Sequence, residues 1–162
     1  MSLSRGRYLV WVAGVALLNL GGCHGGPAVG AGDEWPVYGG DKAGSRFSTL
    51  TQIDRSNVKQ LQIAWRFDTN ERGESQTSPL VIGRTIYAYT PALKVIALDG
   101  TTGKLLWKFD AGVRSSGPHR GLAYWNDGKE RRLFAGAMNR LYALDPDTGK
   151  PIESFGAAGA ID

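Results

Sequence analysis

Few side chains in this 162-residue sequence have a type and a setting that could do chemistry. Cys23 is the single thiol and closes "LGGC" (Leu20 to Cys23). An exposed lone thiol is a liability in an oxidising compartment, so its position asks for a modification. His119 and Arg120 open "HRGLAYW" (His119 to Trp125). An imidazole can take or give a proton near neutral pH, but no carboxylate is paired with His119 nearby in sequence. A packing or hydrogen-bonding group is the plainer reading of it. Arg120 alone reads as a surface arginine in a loop. Gln76, in "QTSPL", carries an amide that both donates and accepts, and a plain loop role competes with any binding role. What these groups can do depends on the elements that carry them.

Those elements are announced by an internal repeat. "ALDGTTGKLLWKF" (Ala97 to Phe109) returns 46 residues later as "ALDPDTGKPIESF" (Ala143 to Phe155). An earlier partial copy, "AWRFD" (Ala64 to Asp68), precedes "LWKFD" (Leu106 to Asp110) by 42 residues. Such periods belong to propeller blades or helical arrays. A helical array would repeat apolar residues at i, i+3 and i+4; here the apolar runs are short and broken by glycine.

Val81-Ile82, Gly83-Arg84 and Thr85 to Tyr89 read as strand, turn and strand, rich in β-branched and aromatic residues. Lys94 to Leu98 is a third strand. Asp99 to Gly103 has the composition of a hairpin loop, with Asp and Thr side chains bonding turn amides and Gly103 taking a positive φ. Lys104 to Phe109 is a fourth strand, with Leu105, Trp107 and Phe109 on one face. The second unit is expected to repeat the order: Arg131 to Ala137, Arg140 to Asp145, the turn "PDTG", then "KPIESF" as last strand. Four short strands per unit make a propeller blade. Trp107 is expected to dock one blade on the next. Glu153 replaces it in the second copy, so that blade is expected to lack its docking indole and to keep an apolar contact through Phe155.

The N-terminus reads as an address. Arg5 and Arg7 precede an apolar run of 13 residues, Tyr8 to Leu20. That suits a signal-peptide core and falls short of the ~20 residues needed to span a bilayer. Leu20, two glycines and Cys23 then look like a bacterial lipoprotein signal, with lipidation at Cys23; an ordinary secretory signal with an incidental cysteine is the alternative. His24 after the cysteine favours the outer membrane over retention at the inner one. The expected organisation is a signal peptide over residues 1–22, a Gly-rich tether over 23–34, and the propeller part over 35–162. The 19 basic and 15 acidic side chains give +4; without Arg5 and Arg7 the balance is 17 against 15. That excess is too small to suggest nucleic acid or an anionic membrane surface as partner.

With the strands in place, a family becomes recognisable. Ala97, Asp99, Thr102, Gly103 and Trp107 match the tryptophan-docking pattern A-x-D-x-x-T-G-x-x-x-W, which resembles that of the pyrroloquinoline-quinone (PQQ) dependent dehydrogenases. "WPVYGGDKAGSRFSTLTQIDRSNVKQLQIAW" (Trp35 to Trp65) resembles their N-terminal opening. "QTSPLVIGRTIYAYTP" (Gln76 to Pro91) resembles their first-blade segment, and "HRGLAYW" their cofactor-contacting Arg-Gly-x-x-Tyr-Trp element. "ESFGAAGAID" at the end brings the glucose dehydrogenase branch nearest.

The resemblance implies an all-β fold, a quinoprotein β-propeller of which this chain carries about the first two four-stranded blades of eight. It also implies roles. Arg120 matches the arginine that grips a carboxylate of the quinone, a task suited to a planar, permanently charged fork. Gln76 stands where many relatives carry a Glu touching the quinone, one negative charge fewer beside an anionic cofactor. Alcohol-oxidising relatives often carry two adjacent cysteines just before the arginine; "GVRSSGPHRG" has Ser115 and Ser116, which points to the sugar branch.

The implied activity is that of an exported oxidoreductase acting on CH–OH groups of an aldose such as glucose, or another alcohol or polyol. Its electrons would pass to a membrane quinone or cytochrome. Its Ca²⁺ ligands and catalytic Asp are expected outside these residues, so the chain is expected to be an N-terminal fragment, periplasmic and held at the outer membrane by its lipid. The competing reading is a non-catalytic outer-membrane lipoprotein propeller that acts as an assembly scaffold, which leaves "HRGLAYW" without a purpose.

Overall fold

The computed structural model describes residues 34–113 and 121–162. The expected signal peptide, Cys23, most of the expected tether, and residues 114–120 with His119 and Arg120 lie outside the described residues. Among the described residues, eight strands form two four-stranded sheets in which each strand pairs antiparallel with the next. The first sheet comprises β1 (Leu80–Ile82), β2 (Thr85–Tyr89), β3 (Val95–Asp99) and β4 (Leu105–Phe109). The second comprises β5 (Ala123–Asn126), β6 (Arg131–Ala137), β7 (Arg140–Leu144) and β8 (Ala160–Ile161). Each is a blade.

The period-2 pattern decides what faces inward. Val95 and Ala97 enter a core shared with Leu133, Ala135 and Leu144 of the other sheet. Ile96 and Leu98, on the opposite face of β3, are also buried. So β3 is covered on both sides, as an inner layer of a stack must be. Tyr87 and Tyr89 cross the gap between the sheets, their hydroxyls donating to Pro146 O at 3.1 Å and Gly136 O at 3.0 Å. Buried aromatic hydroxyls need such partners, and burial pushes the Tyr87 phenol up to about 12 and raises the Tyr89 phenol as well.

The two turns that carry the repeat are built alike. Asp99 Oδ1 accepts the N–H groups of Thr101 and Thr102 at 3.1 and 2.7 Å and the Thr102 hydroxyl at 2.8 Å. Asp145 Oδ1 does the same with Asp147, Thr148 and the Thr148 hydroxyl at 2.9, 2.9 and 3.1 Å. Gly103 and Gly149 end the turns at φ +71° and +69°.

Each of these glycines also lies under an indole. A Cβ on Gly103 would lie 2.5 Å from the Trp65 ring, and one on Gly149 would lie 2.4 Å from the Trp107 ring. Trp65 Nε1 donates to Gly100 O at 3.1 Å and Trp107 Nε1 to Pro146 O at 2.9 Å. Gly100 and Pro146 hold the same place in their turns, so "AWRFD" and "LLWKF" make the same contact one blade apart. Trp65 makes it from a segment outside both sheets.

The second blade departs from the expectation in its last strand. Pro151 bridges to Leu144 as Leu105 pairs with Leu98. The chain then leaves the sheet, turns through Glu153 to Gly156, and returns as β8 at Ala160–Ile161. "KPIESF" is therefore not the fourth strand. Pairing of Tyr142 with Ala160 and Leu141 with Ile161 puts Gly159, not Glu153, opposite Ala143, and Ala143 N donates to Gly159 O at 3.1 Å. Ala97 pairs with Trp107 in the first blade, so Gly159 occupies the row of the docking indole. The cause is local. Pro151 has no N–H for the ladder, and Gly156 (φ +59°), Ala158 (φ +52°) and Gly159 (φ +86°) curl the backbone into a small loop. Phe155 packs edge-on against Phe134 of its own sheet, ring centroids 5.6 Å apart.

β5 is a second difference. "AYWN", which overlaps the end of the "HRGLAYW" stretch, is the first strand of its blade, paired with β6 from Ala123↔Phe134 to Asn126↔Arg131.

Candidate functional site

The turns with the docking indoles lie at one end of the strands; Gln76, the candidate cofactor residue that the structure describes, belongs to the other. There the chain enters β1, leaves β2, enters β3 and leaves β4. Gln76 stands on the segment entering β1 and is exposed. Ser78, two residues on, forms a parallel bridge with Gly121, the residue after Arg120. The approach to the first blade and the approach to the second are thereby joined. Gln76 and the stretch beginning at Gly121 come to the same edge, although 45 residues separate them in sequence. Arg120 itself, like His119, Ser115 and Ser116, lies outside the described residues.

Residues 71–77 are held by side chains rather than by a ladder among the described residues. Ser75 Oγ donates to Tyr89 O at 3.3 Å, and Glu71 Oε2 accepts the Ala92 N–H at 2.9 Å. Lys94 Nζ lies 3.3 Å from Glu71 Oε1 and 3.3 Å from Asp110 Oδ2. Burial pushes the Glu71 carboxyl up, but hydrogen bonds from Thr90, the Ala92 amide and Lys94 outweigh it and hold the group below its ordinary range. It stays charged, and so does Lys94, whose pKa is raised by its bonds to Asp110 and Glu71. These contacts escaped sequence reasoning, which has no local signal for them.

A cavity of about 550 Å³ opens beside this segment, between the N-terminal opening and the outer edge of β1. Trp35, Tyr38, Arg46, Thr77 and Ser78 are among the residues that line it. Trp35 N and O exchange hydrogen bonds with Val81 at 2.8 and 3.0 Å, which places the opening along that edge. Thr77 Oγ1 is buried there with no hydrogen-bond partner among the described residues.

Tested against a PQQ-type cofactor, the donor set fits one rim. The exposed Gln76 amide and the unsatisfied Thr77 hydroxyl, on adjacent residues, can meet carbonyl and carboxylate oxygens. For Ca²⁺ the set does not fit: among the described residues no group of three or more His, Cys, Asp or Glu side chains could hold a metal.

Comparison with known proteins bears on the same segments. Residues 35–162 match the family described as "PQQ: Glucose/ethanol/alcohol dehydrogenase, beta-propeller domain". The quinohemoprotein alcohol dehydrogenase ADH IIB of Pseudomonas putida is 39% identical over 133 residues, covering 76% of this chain and 19% of that protein. Quinoprotein glucose dehydrogenase A of Acinetobacter calcoaceticus is 33% identical over 165 residues, covering 82% of this chain and 20% of that protein. Among solved structures, the quinohemoprotein alcohol dehydrogenase from Comamonas testosteroni superposes with a TM-score of 0.66 at 32% identity, over 74% of this chain and 19% of that one. The chain thus spans about a fifth of the length of the relatives it matches.

Proposed function

This chain belongs to the PQQ glucose/ethanol/alcohol dehydrogenase β-propeller family, and from that premise we propose that it works in the oxidation of CH–OH groups of an aldose or another polyol. The observation that supports a cofactor role most directly is the Ser78–Gly121 bridge, which brings Gln76 to the edge where the Arg-Gly-x-x-Tyr-Trp stretch enters its blade. The chemistry PQQ supplies when bound is two-electron acceptance from the substrate carbon. Gln76 offers its amide to a quinone oxygen without adding a negative charge. Arg120 holds a quinone carboxylate through its guanidinium fork. The sugar and polyol side is favoured by Ser115 and Ser116, which stand where a thiol pair marks many alcohol-oxidising members. The Ca²⁺ ligands and the general base are supplied from elsewhere, and the electrons pass on to a membrane quinone or a cytochrome.

The complete gene product, incubated with PQQ and Ca²⁺, tests this. Quinone absorbance should survive gel filtration, and glucose or quinate should reduce a dye faster than ethanol does. A protein that retains no quinone and reduces no dye overturns the reading.

Export and anchoring belong to the same proposal: the chain is lipidated at Cys23 and held at the periplasmic face of the outer membrane. Cys23→Ala should move the protein from the outer-membrane fraction to the soluble periplasm. An unchanged distribution would leave Cys23 an incidental residue after a secretory signal.

A further inference from the structure

Three chain segments meet where β1 begins, and one ammonium group joins them. Glu71 stands on the segment entering β1, Lys94 closes the β2–β3 loop and Asp110 follows β4. Lys94 Nζ is 3.3 Å from a carboxylate oxygen on either side. Both carboxylates are fixed a second time, Glu71 by the Ala92 N–H and Asp110 by the Gly112 N–H at 2.8 Å. The Glu71–Lys94 half of the network is more sheltered than a surface pair: those side chains are 14% and 26% exposed, against 55% and 70% for Arg140 and Asp162, while Asp110 at the other half is 48% exposed. An ion pair withdrawn from water to that extent is costly to break from one side, because the partner left behind keeps its charge without compensation.

What the network holds matters more. Among the described residues no backbone hydrogen bond fixes residues 71–77, and the ladder begins only with the bridge at Ser78. The path of the chain through Gln76 is therefore set by the Glu71 carboxylate and the Ser75 hydroxyl ahead of it and by Ser78 behind it. Asp110 extends the tie to the exit of β4. We propose that Lys94, bridging Glu71 to Asp110, is a positioning residue that fixes where the Gln76 amide stands at the cofactor rim; this rests on Gln76 being a PQQ contact.

Lys94→Met in the complete gene product keeps the length of the side chain and removes its charge. Without cofactor, amide hydrogen exchange should quicken about tenfold or more over residues 90–94, where the Ala92 N–H is held by the Glu71 carboxylate, as local opening allows, while β2 and β3 stay protected. In a double-mutant cycle, Lys94→Met should weaken PQQ binding about tenfold in the wild-type background and scarcely at all in Gln76→Ala, as residues acting through one another behave. Lys94→Arg should restore both readouts. Unchanged exchange, loosening of the whole sheet, or equal affinity losses in both backgrounds would overturn the proposal. If the wild type binds no PQQ, the functional reading falls, and the exchange result alone decides whether Lys94 positions the segment.

Discussion

At the scale of single residues, the carbonyl of Pro146 accounts for much of the contact between the blades. It accepts from Tyr87 Oη at 3.1 Å and Trp107 Nε1 at 2.9 Å, so two buried donors are satisfied at one oxygen. The Trp107 ring then lies on Gly149, where neither backbone nor space allows a side chain. Gly83 also has a positive φ, +57°, but a Cβ there meets open space. Gly83→Ala should therefore cost about 1 kcal/mol, the usual penalty for an L residue in that region. Gly149→Ala should cost roughly 2–4 kcal/mol, because the indole must also move. Urea unfolding of the two variants compares them; equal losses would mean that Trp107 does not rest on the turn.

At the scale of elements, the repeated stretch splits into a part that is the same in both copies and a part that is not. The side-chain bonds of the Asp-x-x-Thr-Gly turn are reproduced one for one, since they lie within five residues. The strand after it is not reproduced. Trp107 pairs with Ala97 in the first blade, while Glu153 sits exposed in a turn and Gly159 takes the corresponding row. Trp107→Ala should accordingly destabilise by about 3–5 kcal/mol, as large aromatic truncations in cores do, and Glu153→Ala by no more than about 0.5 kcal/mol. Thermal unfolding measures both, and comparable shifts would remove the docking role from Trp107. β5 escaped sequence reading for a related reason. "AYWN" is four residues long and largely exposed, so no alternation of apolar and polar residues announces it; its pairing with β6 defines it as a strand.

At the scale of the molecule, turn chemistry and inter-blade packing give stability opposite dependences at the two ends of the pH range. Asp99 is held below its ordinary 3.8 by the Thr102 hydroxyl, then by the Thr102 amide. The Ser45 hydroxyl does the same for Asp41, and the Ser56 hydroxyl for Asp54. A carboxyl that binds its proton less tightly when folded stabilises the fold above its unfolded pKa and loses that contribution as pH falls through the folded value. Tyr87, pushed up to about 12 by burial, contributes below pH 10, the ordinary phenol value, and loses the contribution as pH rises from there. The melting temperature should thus be flat near neutrality, fall below about pH 4 and fall again above about pH 10. Asp99→Asn should blunt the acid limb and Tyr87→Phe the alkaline one. Melting curves across the range check this, and an acid limb untouched by Asp99→Asn would take the turn carboxylate out of the account.

The amino-acid sequence by itself determined what depends on near neighbours. The strand positions of β2 and β6, the hairpin at Asp99 to Gly103 and the blade-length period follow from side-chain alternation, glycine φ and Asx-type bonds, all of which act over a few residues. The likeness of Gln76 and of the stretch after Arg120 to a cofactor-binding pattern was legible there too. Only the tertiary structure decided what depends on distance through space. It sets Trp65 on the first turn, puts Gly159 in the row of the indole, bridges Ser78 to Gly121 and suspends Lys94 between Glu71 and Asp110. Apart from the partial repeat around Trp65, these pairings leave no mark in local sequence, because each forms only when the chain has folded and brought together residues that are 16 to 43 positions apart.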